Sequence, residues 1–438
     1  MLTKYFYQIS LNVTLANGEA LMHTMDSLVN HGCLIVDVTD GGASFKEASI
    51  LAKMWDVTGQ FFKSIEGVTN LPKMKPAEGV GSKNAVVGFA SYGQMQFLET
   101  RLRRRQTKND DNNIVPEILA DYVGLNGCKI MEDSFDVMSN IGKDIVRITV
   151  AASSIEAEAF LTPTGKLKDE DEEEGVMGDM PFISGLTFED AELFGVSTGN
   201  ENDDDEVFVV TEEDRLNAAI HASEAAAFLA DEIMDDGYIP QNLEGVVGSI
   251  NMSPHRICRY SGKKYDDNQN KKAIEEVFGA HTDTSFMTIV PVAATSGLEV
   301  FDEDSEKWYR PELKARKTWE QEQMDKGLDP SALFETITDE NGEEIQLPWH
   351  SRYLIAMPGE LMQIVTRDEV PACVHRVVAL SNKARLSAPV LLRGRSGMKL
   401  DASKYLGNME VAGPILNQCD GMTMEAIHDE LQPSSYRQ

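Results

Sequence analysis

The fold is decided by GAHTDTSFMTIVPVAATSGLEVF, residues 279–301, in which a polar His-x-Asp segment precedes short apolar and β-branched runs. Alternate residues of a strand point to the same side, so His281 and Asp283 are expected on one strand face. His375 lies further along the chain, at the start of another predicted strand. Two imidazoles and one carboxylate suit a divalent first-row metal and leave coordination positions open. The pattern therefore predicts a catalytic metal site in a β-rich half of the chain.

Ten residues after His375 comes Arg385-Leu386-Ser387, which predicts an anion clamp beside the metal. The planar guanidinium of Arg385 matches the geometry of a carboxylate. Ser387 would share its strand face and add a hydroxyl donor. Tyr260, on an earlier predicted strand, is a third candidate donor. A metal face next to a carboxylate clamp is typical of a cofactor site, and not merely of a metal site.

The β-rich half begins near Gly245 and consists of short apolar runs separated by turn residues. The predicted strands are SINMS, RICRY, FMTIVPV, GLEVF, RYLIAM, LMQIV, VHRVVA and LSAPVLL. Such a series favours a jelly roll, two facing sheets whose mouth can hold a small site. Residues 312–350 interrupt it with a charged helical segment and a hairpin turning at Asn341-Gly342, which we interpret as an insertion near the mouth.

The N-terminal half predicts one strand and two amphipathic helices. The run CLIVDV, residues 33–38, is typical of a strand, and Ser44 with Glu47 forms a candidate capping box for the helix that follows. Apolar residues at helical spacing between Ile130 and Val150 indicate a second helix. The basic group formed by Arg101 and the arginines at 103–105 is interpreted as a solvated helix end, although it could also attract an anionic substrate.

These patterns predict an α+β chain with a double-stranded β-helix (jelly roll) core, an N-terminal helical region and two insertions. The expected divisions are an N-terminal α/β region (1–165), an acidic and partly disordered insertion (166–214), a catalytic domain (215–400) and a C-terminal segment (401–438). The acidic insertion is read from dense carboxylate runs at 169–174 and 201–206. Thr211 is the predicted cap of a helix that reaches about Met234.

Composition excludes several classes of partner. A formal net charge of −32 argues against nucleic acid and anionic membranes, which require a basic surface. The five cysteines are scattered without C-x-x-C spacing, which indicates a reducing compartment and free thiols. No run of 18 apolar residues occurs. We expect a cytoplasmic protein acting on a small molecule, and the sequence leaves its oligomeric state open.

Three stretches resemble the catalytic core of the Fe(II)/2-oxoglutarate-dependent dioxygenases, in the branch that contains isopenicillin N synthase and the plant hormone and flavonoid oxygenases. They are residues 279–301, PGELMQIVTRDEVPACVHRVV (358–378) and ARLSAPVLL (384–392). The close resemblance covers about residues 256–395, and NHGCLIVDV (30–38) resembles that branch's N-terminal domain more weakly. The branch's N-Y-Y-P motif reads Cys258-Arg259-Tyr260-Ser261 here, so only its second tyrosine is kept.

The resemblance implies that His281, Asp283 and His375 bind Fe(II), and that Arg385, Ser387 and Tyr260 bind 2-oxoglutarate. It implies an oxygenase that uses O₂, releases succinate and CO₂, and hydroxylates, desaturates or cyclises a small metabolite. One alternative is a catalytically inactive sensor of the same fold that binds metal and a 2-oxo acid. Another is a zinc hydrolase, which would need a general base beside the metal and would have no use for Arg385.

Overall fold

The computed structural model describes residues 18–39, 44–71, 73–105, 114–161, 224–239, 245–261, 275–303, 305–338, 344–379, 383–406 and 414–431. The acidic segment 166–214, the Thr211 cap and the turn at Asn341-Gly342 lie outside these residues. None of the helices within these ranges is long and apolar enough to cross a membrane.

Helices occur at both ends of the described chain and also between strands of the β-rich half. Their bounds are α1 (Gly18–Val29), α2 (Lys46–Ser64), α3 (Ile118–Leu161), a π-helix (Phe228–Ile233), α4 (Pro311–Asp325), a 3₁₀ turn (Trp349–Arg352), α5 (Glu360–Val365), α6 (Ser403–Leu406), α7 (Pro414–Cys419) and α8 (Met424–Leu431). Helix α3 is kinked at Gly124, whose backbone is not helical.

The strands are mostly short, as the turn-rich sequence predicts. They are β1 (Leu34–Asp37), β2 (Lys75–Pro76), β3 (Val86–Tyr92), β4 (Met95–Leu102), β5 (Ile114–Val115), β6 (His255–Tyr260), β7 (Glu275–His281), β8 (Met287–Pro291), β9 (Leu298–Asp302), β10 (Lys307–Tyr309), β11 (Phe334–Thr338), β12 (Glu344–Pro348), β13 (Tyr353–Pro358), β14 (His375–Ala379), β15 (Arg385–Ser387) and β16 (Val390–Leu392).

Two antiparallel sheets carry the pocket. Within the described residues, a ten-stranded sheet runs in the order β1-β13-β8-β16-β6-β4-β3-β2, with β15 also paired to β6 and β5 to β4. A four-stranded sheet has the order β10-β9-β14-β7. Side chains of β6 and β8 from the large sheet and of β9 and β14 from the small sheet line one pocket. The α+β prediction is thereby confirmed.

Helices α2 and α3 pack on each other, and α3 also packs on β8 and β16 of the large sheet. Residues spaced by about one helical turn face this interior and are buried: Leu51, Met54, Phe61, Met131, Phe135, Met138, Ile141 and Ile145. This apolar layer fixes β8 and β16 from behind. Two strands that line the pocket therefore rest on a closed core.

The capping box was a wrong prediction, and the solvated arginine group was wrong for all of its members except Arg103, whose side chain is exposed. The residue that caps α2 is Phe45, and it makes no side-chain cap hydrogen bond. Arg101 lies on β4, and Arg101 and Arg105 are buried. Arg104 forms two hydrogen bonds with Asp235, at 2.8 and 2.9 Å. Each of these cations has a carboxylate partner, so it can leave water at an acceptable cost in free energy.

Two of the predicted strands were also wrong. LMQIV forms helix α5, in which Leu361, Met362, Ile364 and Val365 are buried. Its apolar residues recur at i, i+1, i+3 and i+4, which fits a helical face as well as a short buried strand. SINMS forms no strand and makes only an isolated β-bridge, between Ile250 and Arg103, although Asn251 also donates a backbone hydrogen bond to Leu102.

The predicted insertion 312–350 corresponds to α4 and the β11–β12 hairpin, which lie between β10 and β13. Pro311 occupies the first turn of α4, where its missing N–H costs nothing. Trp319 on α4 is fully buried, and the guanidinium of Arg352 lies 5.4 Å from the centre of its ring. The helix is therefore anchored to the β-rich half through its own side chains.

Candidate active site

Strand pairing brings the two candidate histidine ligands together. His281 is the last residue of β7 and His375 the first of β14, and the two are direct partners in the antiparallel ladder. Their rings lie with centroids 4.3 Å apart. Asp283 follows β7 in a turn, so the expectation that His281 and Asp283 share one strand was wrong. The strand ends at His281, and the turn returns the carboxylate toward both rings.

The ligand atoms of His281, Asp283 and His375 all lie within 4.8 Å of one another. The Nε2 atoms of His281 and His375 are 3.9 and 3.7 Å from the two carboxylate oxygens of Asp283. Each Nδ1 contacts a backbone carbonyl oxygen, at 2.8 Å for Gly279 and 3.1 Å for Cys373. A donating Nδ1–H leaves the Nε2 lone pair free, so the three side chains fit a divalent metal.

The turn that carries Asp283 is held by Glu360 on both of its sides. The two carboxylate oxygens of Glu360 accept hydrogen bonds from Thr282, at 2.8 Å, and from Thr284, at 2.9 Å. A Cβ at Gly359 would lie 2.6 Å from the carbonyl oxygen of Asp283, so only glycine allows this approach. Glu360 is therefore a positioning residue for the Asp283 carboxylate.

Thr288 acts on the carboxylate directly. Its hydroxyl donates to Oδ2 of Asp283 at 2.8 Å and contacts the hydroxyl of Ser285 at 3.0 Å. Thr288 lies on β8 and lines the pocket. A hydrogen bond of this kind fixes the orientation of a carboxylate ligand before a metal arrives.

The local charges favour the protonation states that a metal needs. Burial opposes ionisation of Asp283, but the adjacent His375 and His281 outweigh it and lower the pKa of this carboxyl. Burial, reinforced by His375, lowers the pKa of His281. Asp283 is therefore an anion and His281 neutral near pH 7, as metal coordination requires.

Arg385, Ser387 and Tyr260 also line this pocket. Strand β15 pairs with β6 so that Arg385 lies opposite Tyr260 and Ser387 opposite Cys258. The Arg385 guanidinium is 5.5 Å from the centre of the Tyr260 ring. Burial, followed by the charge of Cys258, raises the pKa of Tyr260, so its phenol keeps its proton as a donor.

Arg385 already has a carboxylate partner, Glu312 in the first turn of α4. Its Nη2 donates to Oε1 of Glu312 at 2.7 Å, and both side chains are buried. The second oxygen of Glu312 accepts from the backbone N–H of Gly297 at 2.7 Å and of Leu298 at 3.1 Å. A Cβ at Gly297 would lie 2.8 Å from Cδ of Arg385, so glycine is needed there. Among the described residues, Nε of Arg385 has no hydrogen-bond partner.

Residues on and next to β8 and β16 differ in whether they reach the pocket. Thr288, Val290 and Leu391 line it, whereas Phe286 and Arg393 are buried and do not. His255 and His350 are two further histidines of the β-rich half. Burial lowers the pKa of His255 to about 3 and that of His350 to about 4, and neither lines the pocket.

Sequence patterns missed Glu312, Glu360 and Arg256. Glu312 and Glu360 act through pairings across long stretches of chain, and no local spacing signals them. Arg256 had a usable signal, because it alternates with Cys258 and Tyr260 on β6 and so shares their face. All three of these β6 residues line the pocket.

No model of a known protein family matches the chain, and no curated protein matches it. Similar solved structures include dioxygenase for auxin oxidation 1 from Arabidopsis thaliana in a complex with 2-oxoglutarate. It is 13% identical, with 92% of this chain and 96% of that chain covered and a TM-score of 0.43. A full-length Neurospora crassa protein in complex with alpha-KG is 13% identical, with 97% and 92% covered and a TM-score of 0.45. These scores describe a distant likeness, so the functional argument rests on the site.

Proposed function

We propose that this protein is an Fe(II)- and 2-oxoglutarate-dependent oxygenase that acts on a small organic molecule. The observation that carries the proposal is one pocket in which His281, Asp283 and His375 converge within 4.8 Å and which Arg385, Ser387 and Tyr260 also line. Two histidines and one carboxylate with open coordination positions are the ligand set of non-haem Fe(II) oxygenases. We further propose that the two sheets form a double-stranded β-helix around this pocket.

In this proposal His281 and His375 bind the metal through Nε2, and Asp283 binds it through its carboxylate. When bound, Fe(II) and 2-oxoglutarate supply the oxidising chemistry with O₂, and the protein's share is binding and orientation. Glu360 and Thr288 hold the Asp283 carboxylate in place, and the two backbone carbonyls fix the histidine tautomers. His281 and Asp283 have no proton to lose during loading, since both are already in their metal-binding states.

Arg385, Ser387 and Tyr260 would hold the carboxylate of 2-oxoglutarate that lies away from the metal. Ser387 is buried and lines this part of the pocket with its hydroxyl group. Tyr260 keeps its proton and is hydrogen-bonded to Cys258, and Nε of Arg385 has no hydrogen-bond partner among the described residues. A carboxylate bound here would satisfy this buried Nε, which is otherwise unpaired.

Most of the remaining wall is apolar and suits a small organic substrate. Its apolar part is formed by Met95, Phe278, Val290, Leu298, Met357, Val377, Pro389 and Leu391. Whether the substrate is hydroxylated, desaturated or cyclised depends on where it sits, and the residues leave all three open.

The test is an anaerobic titration of the full chain with Fe(II) and 2-oxoglutarate, followed by exposure to air. We expect a weak visible charge-transfer band from the chelate, and then formation of succinate. Asp283→Ala should lose the band, and Asp302→Asn, a change of another carboxylate away from the pocket, should keep it. If the wild-type chain shows neither band nor succinate, the proposal is wrong.

The same pocket would also suit a second candidate, a sensor that binds metal and a 2-oxo acid without turnover. The sensor predicts the charge-transfer band without succinate for any added metabolite. Screening small metabolites for succinate release therefore separates the two candidates.

A further inference from the structure

Arg256 is a second guanidinium in the pocket, and its donors are incompletely used. It lies on β6, lines the pocket, and its side chain is 25% exposed. Its Nε donates to Oε2 of Glu99 at 2.7 Å. Its two terminal nitrogens have no hydrogen-bond partner among the described residues. A half-open guanidinium at the wall of a deep pocket is a site for an anion.

Glu99 does not neutralise Arg256, because it is shared. Its other oxygen accepts from Nη2 of Arg101 at 2.7 Å, and both residues are buried. Arg393, also buried, lies within electrostatic range of Glu99 and Arg256. Its Nε has no hydrogen-bond partner in the described part of the chain. We define Arg101, Arg256, Arg393 and Glu99 as the arginine cluster, in which three cations share one carboxylate.

The neighbours of the cluster do not remove this excess. Asp235 lies near Arg101 but is already bound through both oxygens by Arg104. Asp283 lies near Arg256 and Arg393, but in the proposed function its charge is taken up by the metal. A divalent cation there would increase the local positive charge, and an anion would offset it.

The cluster is separate from the Arg385 clamp. Tyr260, which lies opposite Arg385, is four residues from Arg256 on the same strand. At about 3.3 Å per residue, the two positions are about 13 Å apart along β6. The two arginines therefore reach the pocket from separate positions on its wall. The part of the pocket near Arg256 would be free when 2-oxoglutarate occupies the Arg385 end.

We propose that Arg256, backed by Arg101 and Arg393, binds an anionic group of the substrate, a carboxylate or a phosphate. The inference rests on the proposed function and narrows it: the substrate would be a small organic anion with an apolar body. The anion would accept from the terminal nitrogens of Arg256, and the apolar body would lie against Leu391 and Met95 toward the metal. Arg256 would then set both affinity and the orientation of the carbon that is oxidised.

The experiment uses the full chain loaded with Zn(II) and saturating 2-oxoglutarate, which blocks the Arg385 end. Phenylacetate, phenyl phosphate and the neutral phenylacetamide are titrated and followed by ligand-observed NMR. We expect one of the two anions to bind about tenfold or more tightly than the amide, as a charge-assisted pair implies. The anion that binds better identifies carboxylate or phosphate as the recognised group.

Arg256→Gln should remove the preference for the anion while Zn(II) and 2-oxoglutarate remain bound. Arg259→Gln is the matched control, because Arg259 lies on the same strand, contacts Gln96 and Glu66, and is outside the pocket. It should keep the preference. If Arg256→Gln fails to fold, Arg256→Lys is the alternative variant. It keeps the positive charge but lacks the planar guanidinium, so it should retain part of the preference for the anion.

The inference is overturned if the amide binds as well as both anions, if no probe binds, or if the preference survives Arg256→Gln. These comparisons on the wild-type chain do not depend on any variant folding. Failure of the oxygenase proposal has a different signature, namely no charge-transfer band with Fe(II) and 2-oxoglutarate. The two proposals can therefore fail separately.

Discussion

The pocket has an arginine at each end, and a buried glutamate binds each of them. Arg385 is paired with Glu312 from the insertion, one cation with one anion. Arg256 is paired with Glu99 from β4, but Glu99 also binds Arg101, and Arg393 lies nearby. The Arg385 end is therefore neutral before any ligand arrives, whereas the Arg256 end carries excess positive charge.

This difference shows that the number of arginines in a pocket does not measure its affinity for anions. An ion pair that is already complete offers free donors but little net charge, so its selectivity is largely geometric. A cluster with excess cations gains free energy from any anion that fits. The Arg385 end should consequently discriminate by shape, and the Arg256 end by charge.

The largest expected effect comes from removing the clamp itself. Arg385→Ala should weaken 2-oxoglutarate binding by about 100-fold or more, because truncating one partner of a buried charge pair costs about 2–5 kcal/mol. The charge-transfer band measures this affinity, and metal analysis measures Fe(II) content, which should stay nearly unchanged. Loss of metal would contradict the assigned role of Arg385.

Thr288 tests how firmly the proposed metal site is built. Thr288→Val removes the hydrogen bond to Asp283 with little change in volume. Metal affinity should fall about 10- to 100-fold, as for other groups that orient a ligand. Competition with a chelator measures it. Thr149→Val is the control, a buried threonine on α3 that donates to the Ile145 carbonyl. An equal loss in both variants would refute the special role of Thr288.

Glu312→Gln removes the negative charge that neutralises the Arg385 end. It therefore tests directly whether net charge distinguishes the two ends of the pocket. If net charge limits the Arg385 end, 2-oxoglutarate should bind about tenfold more tightly, a change of about 1.4 kcal/mol. The affinity for 2-oxobutyrate, which lacks the distal carboxylate, should not change. Weaker 2-oxoglutarate binding would show instead that Glu312 acts mainly by orienting Arg385.

The metal-site geometry was partly predictable because its residues lie on adjacent strands. Period-two alternation placed Arg385 with Ser387, and the structure puts both on one pocket wall. It failed for His281 and Asp283, because β7 ends between them. The segment that follows β7 is held by Glu360, which lies in a different part of the chain and accepts hydrogen bonds from Thr282 and Thr284.

Charge patterns were less informative than apolar patterns. The buried face of α3 could be predicted from the helical spacing of its apolar residues alone, because burial of each of these residues stabilises the fold. The sequence around the arginines at 101–105 looks solvated, but three of them enter the interior because Glu99, Asp136 and Asp235 pair with them, namely Arg101, Arg105 and Arg104. Such pairings need the folded chain, so the arginine cluster and Glu312 could not be predicted.

The smallest effect concerns acid, and it compares two buried histidines outside the pocket, His350 near Glu312 and His428 near the arginine cluster. Burial lowers the pKa of His350 to about 4, although Glu312 opposes this shift. Burial, together with Arg393, Arg101 and Arg256, lowers the pKa of His428 further. Both are neutral when folded but take up a proton near pH 6.5 when unfolded. Their stabilising contribution is complete above that pH and is lost as the pH falls below it.

Each histidine should lower the free energy of unfolding by about 1.4 kcal/mol for every unit by which the pH falls from 6.5 to 4. Urea unfolding of the metal-free chain measures this pH dependence. Down to pH 4, the His350→Asn and His428→Asn variants should each lose the same amount of it. Below pH 4 folded His350 takes up its own proton and its slope ends, whereas that of His428 continues beside the arginines. Equal behaviour of the two variants below pH 4 would mean that the Arg256 end carries no greater excess of positive charge than the Arg385 end.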